Sequence, residues 1–131
     1  MYNRYIIPSG TRVGIYIFGI FLHVGIVSDG WLNGEQTVFS RSKRAGFAKE
    51  ELISVFTSGY DFHVLPPLSD LHPTLIIANA RRLLGTPWRL ADANCEHFVH
   101  ECFGLKPKSP QVYCWSGVAA LALLVMLTSS G

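Results

Sequence analysis

The chain has 131 residues, about half of them apolar, and a formal net charge of only +2. That length suits one domain with its own hydrophobic core, and no stretch has the polar, highly charged composition of disorder. So small a charge, with its arginines scattered, argues against a nucleic-acid partner; the densest basic stretch, Arg41–Arg44, reads as a solvated loop.

Met1–Gly10 is polar and aromatic with a Pro-Ser-Gly turn, and does not read as a secretory leader. Val13–Val27 is apolar but interrupted by Gly14, Gly19, His23 and Gly25. Its Ile, Val and Phe content predicts two short strands joined near Phe18–Gly19 rather than one helix. Asp29-Gly30 and Asn33-Gly34 each predict a tight turn, and Gln36–Ser40 alternates as a third strand, so Asp29–Ser40 reads as a hairpin. Arg41–Phe47 is a basic loop. Ala48–Thr57 places Leu52, Ile53 and Phe56 on one helical face before Ser58-Gly59, which predicts a helix. Asp61–Leu65 alternates as a strand closed by Pro66-Pro67. Leu71–Leu84 predicts a second helix, with Pro73 in its first turn and Gly85 beyond its end. After a loop at Thr86–Asp92, Asn94 is placed to cap a helix running from Cys95 to about Phe103, ended by Gly104. The fold class expected is α+β, a small antiparallel sheet packed against helices over residues 1–105. A stiff linker at 106–110 and a hydrophobic tail at 111–131 follow.

That tail carries no charge from Gln111 to Gly131, and Val112–Leu127 is almost wholly apolar. At about 1.5 Å per residue such a helix reaches the lower limit for crossing a bilayer core of about 30 Å. Tyr113 and Trp115 stand at its start, and Lys106 and Lys108 just before it, on the side assigned to the cytosol. The expectation is a membrane anchor with the domain on the cytoplasmic face; the competing reading is a helix buried in the core or in a dimer interface.

The three cysteines cannot all pair with one another. Cys95 and Cys102, seven positions apart on one helix, are separated by roughly 10 Å along its axis, too far for a disulfide. Reduced thiols and a cytosolic setting follow. With no CxxC and no metal-type Cys/His spacing, no metal or other cofactor is expected.

Cys95 opens a helix, where the partial positive charge of the N-terminus stabilises a thiolate, the nucleophilic form of cysteine. The free N–H groups there can also hold a developing oxyanion. Cys102 and Cys114 have no such placement and read as packing residues. Of the five histidines, His97 and His100 lie off the Cys95 face of the helix, and His72 precedes a proline. His23 and His63, both on strands, remain as possible bases.

At this point the motifs resemble a known family. Asn94-Cys95-Glu96-His97-Phe98-Val99 resembles the signature hexapeptide of the lecithin:retinol acyltransferase-like proteins, a permuted branch of the NlpC-type, papain-like hydrolases. Gly10 through Val13, His23-Val24-Gly25-Ile26-Val27 with Asp29-Gly30, Val38 through Ser42 with Gly46, and Leu84-Gly85-Thr86-Pro87-Trp88 resemble further family segments in the same order, over roughly residues 10 to 104. The resemblance implies a permuted papain-like fold, Cys95 as nucleophile, His23 as general base, and Ser40 at or near the third position that orients the histidine. Many relatives have His at that third position; a serine hydroxyl supplies no charge. Phe21 stands where some relatives have a tyrosine that helps bind the oxyanion, so more of that task falls to the Cys95 N–H. Phe21 and Trp88 are expected beside the substrate, while Asn94, Glu96 and His97 build the helix start. The activity implied is acyl transfer or hydrolysis on phospholipid-type esters through a cysteine thioester. The alternatives are a peptidase or amidase of the same superfamily, and a membrane-tethered regulatory protein with weak catalysis.

Overall fold

The β-branched and aromatic run that begins at Val13 folds back on itself in a computed structural model that describes residues 6–107. Strand β1 (Arg12–Ile17) turns into β2 (Phe21–Leu32) through Phe18 and Gly19, both at positive φ, with the Ile20 N–H donating to the Ile17 carbonyl at 3.2 Å. Positive φ at both central positions matches a turn to the right-handed twist of its strands. Asn33 and Gly34 repeat that geometry (φ 53 and 78) and lead into β3 (Glu35–Arg41).

Asp29-Gly30 is not a turn. β2 runs straight through it, and the pairing with β3 shifts register between Val27 and Trp31. Polar side chains hold this irregularity: the Gly30 N–H donates to Ser28 Oγ at 3.0 Å, and the Ser28 and Thr37 hydroxyls both donate to Glu50.

Ala48–Thr57 is likewise not one helix. Ala48–Leu52 is strand β4, paired antiparallel with β3 from Thr37↔Leu52 to Arg41↔Ala48, and only Ile53–Thr57 is helical (α1). Without β4 the outer edge of β3 would have unpaired backbone groups, and that requirement outweighs the helical spacing of Leu52, Ile53 and Phe56. Strand β5 (Phe62–Val64) pairs with β1, which completes a five-stranded antiparallel sheet in the order β4-β3-β2-β1-β5. Helix α2 (Pro73–Arg82) starts on Pro73, with His72 Nδ1 accepting from the Thr74 N–H. Helix α3 (Cys95–Cys102) ends just before Gly104, which takes φ 77.

Because strand side chains alternate, the sheet buries two cores. One face carries Val24, Ile26 and Phe39 against Ile76, Ile77 and Ala80 of α2 and Phe98, Val99 and Cys102 of α3. The other carries Val13, Ile15, Val27 and Val38 against Ile53 and Phe56 of α1. The architecture is α+β. No helix of the described residues is long and apolar enough to cross a membrane; the hydrophobic tail at 111–131 and Cys114 lie outside the described residues.

Candidate active site

Asn94 sets the start of α3. Its Oδ1 accepts from the N–H groups of Glu96 (2.9 Å) and His97 (3.2 Å), while His97 Nδ1 accepts from the Asn94 N–H at 3.1 Å. This is a reciprocal capping box in which an imidazole takes the place usually held by Glu or Gln. Glu96 adds a carboxylate in the first turn, where the helix dipole favours it. With two N–H groups held by Asn94, the Cys95 N–H is the donor at the helix start that remains for an oxyanion.

The Cys95 thiol lies on the α2–α3 face of the sheet. It packs beside Leu22 and the Val24–Ile26 core, and Sγ donates to the Leu22 carbonyl at 3.9 Å. Burial pushes its pKa up to about 11, although the N–H groups of Val24, Cys95 and Glu96 pull in the opposite direction. The helix start therefore does not outweigh desolvation here, and the thiol is protonated at neutral pH. Cys102, buried further along α3, is pushed up to about 12 for the same reason.

The His23 side chain has the opposite parity on β2. In register His23 pairs with Ile15, a residue of the α1 core, and its ring packs against Phe56 with centroids 5.0 Å apart. Burial, then the nearby Arg44 guanidinium, lowers its pKa to about 4. The His23 ring thus packs with the α1 core, while Cys95 packs with the α2–α3 core. The thiol meets the backbone of Leu22 and Val24, and the side chain between those two residues points through to the other face.

Ser40 shares the His23 face, following the alternation of Val38, but its buried Oγ makes no hydrogen bond and so does not orient the imidazole. Phe21 pairs with Ile17 at the mouth of the β1–β2 hairpin, is somewhat less than half exposed, and has the parity of His23, not of Leu22. Trp88 is half-buried, and its backbone N–H donates to the Gly46 carbonyl at 2.9 Å, which ties the loop before α3 to the chain entering β4.

The strand histidine on the thiol's side of the sheet is His63. It pairs with Gly14, which pairs in turn with Val24, and its ring meets Tyr16 edge-on at 5.4 Å. Arg41, read from the sequence as the start of a loop, is instead buried at the end of β3. Its Nε and Nη2 donate to Thr86 Oγ1 at 3.2 and 2.7 Å, and its guanidinium stands 5.5 Å from the Phe98 ring centroid. One arginine thereby joins β3, the loop before α3, and α3 itself. The signal for it was the alternation of Thr37, Phe39 and Arg41, which places all three on the helix-covered face.

Among the described residues no group of three His, Cys, Asp or Glu side chains is placed to hold a metal ion. Compared with known proteins, the chain matches no family model and no curated protein.

Proposed function

We propose that the chain is a thiol-dependent acyltransferase or hydrolase of phospholipid-type esters, working at the cytoplasmic face of a membrane with residues 111–131 as its anchor. The observation that carries this reading is the placement of Cys95 as the first residue of α3, beneath an Asn94–His97 capping box and against the strand that bears His23. A permuted papain-like fold is part of the same proposal; the antiparallel sheet with a capped cysteine helix laid on it is compatible with that fold.

In the step proposed, the thiol proton passes to a histidine and Sγ attacks the ester carbonyl. The Cys95 N–H receives the negative charge on oxygen. Collapse breaks the ester C–O bond, the leaving alkoxide takes the proton, and the acyl group stays on sulfur as a thioester. Water completes hydrolysis; an amine or alcohol completes transfer. The base is His23 if its ring reaches the α3 face during turnover, and His63 if the resting arrangement persists. A second reading, a regulatory protein with weak catalysis, draws its support from one observation: thiol and imidazole sit on opposite faces, both uncharged at neutral pH.

The test is intact-mass measurement of the full chain after incubation with phosphatidylcholine. We expect a fatty-acyl increment that maps to Cys95 and is absent from Cys95→Ser. Loss of the increment in His23→Gln or in His63→Gln identifies the base. No increment under any condition, with Cys95 no more reactive than Cys102, overturns the enzyme reading in favour of the regulatory one. Turnover of a peptide amide without lipid turnover selects the peptidase.

A further inference from the structure

The β1–β2 hairpin ends in exposed apolar side chains. Phe18 is 80% exposed and Ile20 60%, with Tyr16 and Phe21 somewhat less than half exposed behind them. Phe18 holds a positive φ, a conformation that a bulky residue rarely adopts, and the turn presents its ring to solvent instead of to either core. No charged residue lies between Arg12 and His23. Soluble surfaces scatter single apolar residues; they do not gather aromatic and branched ones on an uncharged fingertip.

We propose that this hairpin tip, from Phe18 to Phe21, inserts into a phospholipid bilayer and sets the Cys95 thiol at the depth of the lipid ester groups. The proposal rests on the lipid-ester reading above and names the element that brings that site to its substrate. The geometry is quantitative. Leu22, whose carbonyl lies 3.9 Å from Cys95 Sγ, is three residues from Gly19 at the tip, about 10 Å along a strand at roughly 3.3 Å per residue. Interfacial elements bury their apolar parts by about 5–10 Å into the boundary between headgroups and acyl chains. A tip seated to that depth leaves the thiol just above it, where glycerol esters lie. Leu90, 66% exposed, is tied to the start of the same helix, its carbonyl accepting from Asn94 Nδ2 at 3.0 Å. The Arg89–Asp92 ion pair beside it (3.0 Å) supplies a polar rim suited to headgroups. The occupant is lipid rather than a second copy of the chain for two reasons. A fingertip of this size falls well short of the roughly 800 Å² that each partner gives to a standard protein interface. The chain beyond the described residues also contains the uncharged stretch 111–131, beginning four residues past Pro107.

The experiment is hydrogen exchange of the full chain, with and without phosphatidylcholine vesicles, on wild type, the double variant Phe18→Asp/Ile20→Asp, and Cys95→Ser. In wild type and Cys95→Ser, the amides of residues 16–21 are expected to slow about tenfold or more on vesicles, through suppressed local opening. The double variant is expected to lose that protection while its β3 amides exchange as in wild type, which shows that it is folded. Vesicle-bound wild type with unprotected hairpin amides overturns the proposal, as does a chain that does not bind vesicles. Protection that grows with protein concentration in the absence of lipid assigns the tip to a second copy and overturns it too. The two readings fail separately: hairpin protection without any acyl adduct sinks the enzyme alone, and an adduct without hairpin protection sinks the insertion alone.

Discussion

On the α2–α3 face of the sheet, Leu22, Val24 and Ile26 meet two helices, a partly buried thiol, and an arginine that stacks on Phe98. On the α1 face, His23, Gly25 and Val27 of the same strand meet one short helix and the Phe56 ring. A Cβ at Gly25 would lie 2.7 Å from the Phe39 carbonyl oxygen and 2.8 Å from Val38 Cγ1, so the second face closes tightly around a residue with no side chain. Each face draws one of the two expected catalytic groups partly out of water and holds it neutral, the thiol by raising its pKa and the imidazole by lowering it. Neighbours along β2 thus serve different cores. A motif that names two residues says nothing of whether a sheet lies between their side chains.

Three measurements test this contrast. The largest effect belongs to the thiol face: Phe98→Ala should cost about 3–5 kcal/mol of unfolding free energy, and it also strips the aromatic face from Arg41. Urea denaturation reads the loss, and a change under about 1 kcal/mol would mean that α3 is not packed as described. The His23 face is tested by pH. Its folded pKa, about 4, lies below the ordinary value of 6.5, so the unfolded chain takes up the proton first. The stability concerned is fully present above about pH 6.5 and is lost as pH falls toward 4, by on the order of 2–3 kcal/mol. His23→Gln should flatten that part of the stability curve; an unchanged slope would put the imidazole in solvent. The smallest effect falls on the start of α3. Asn94→Ala removes the acceptor of two N–H groups and should cost about 1 kcal/mol, while Asn94→Asp should keep most of it.

Much of the architecture was legible because it rests on local chemistry. Asn94 and Gly104 bracket α3, Pro73 opens α2, and Asn33-Gly34 turns β2 into β3. What escaped the reading depends on partners distant in sequence. Ala48–Leu52 has no strand signature, since Ala, Lys and Glu are poor strand formers; it is a strand because β3 needs a neighbour. Asp29-Gly30 has the composition of a turn and is held in a strand by Glu50 of β4. At the candidate site, the cap and the place of Cys95 followed from Asn94. The strand alternation even implies that His23 opposes Leu22 and Val24. Only the packing of α3 reveals which of those two faces the thiol shares.

The contact between Cys95 and Leu22 also says something about the order in which the molecule is made. The hairpins β1–β2 and β2–β3 each close over a few residues, whereas the thiol's bond to Leu22 spans 73 positions. Short loops close early and long ones late, and during synthesis α3 is the last described element to leave the ribosome. Until it docks, the α2–α3 face of the sheet lacks one of its two helices, and the thiol is an ordinary exposed cysteine with an ordinary appetite for oxidants and metals. Burial, which later makes it sluggish, is also what ends that exposure.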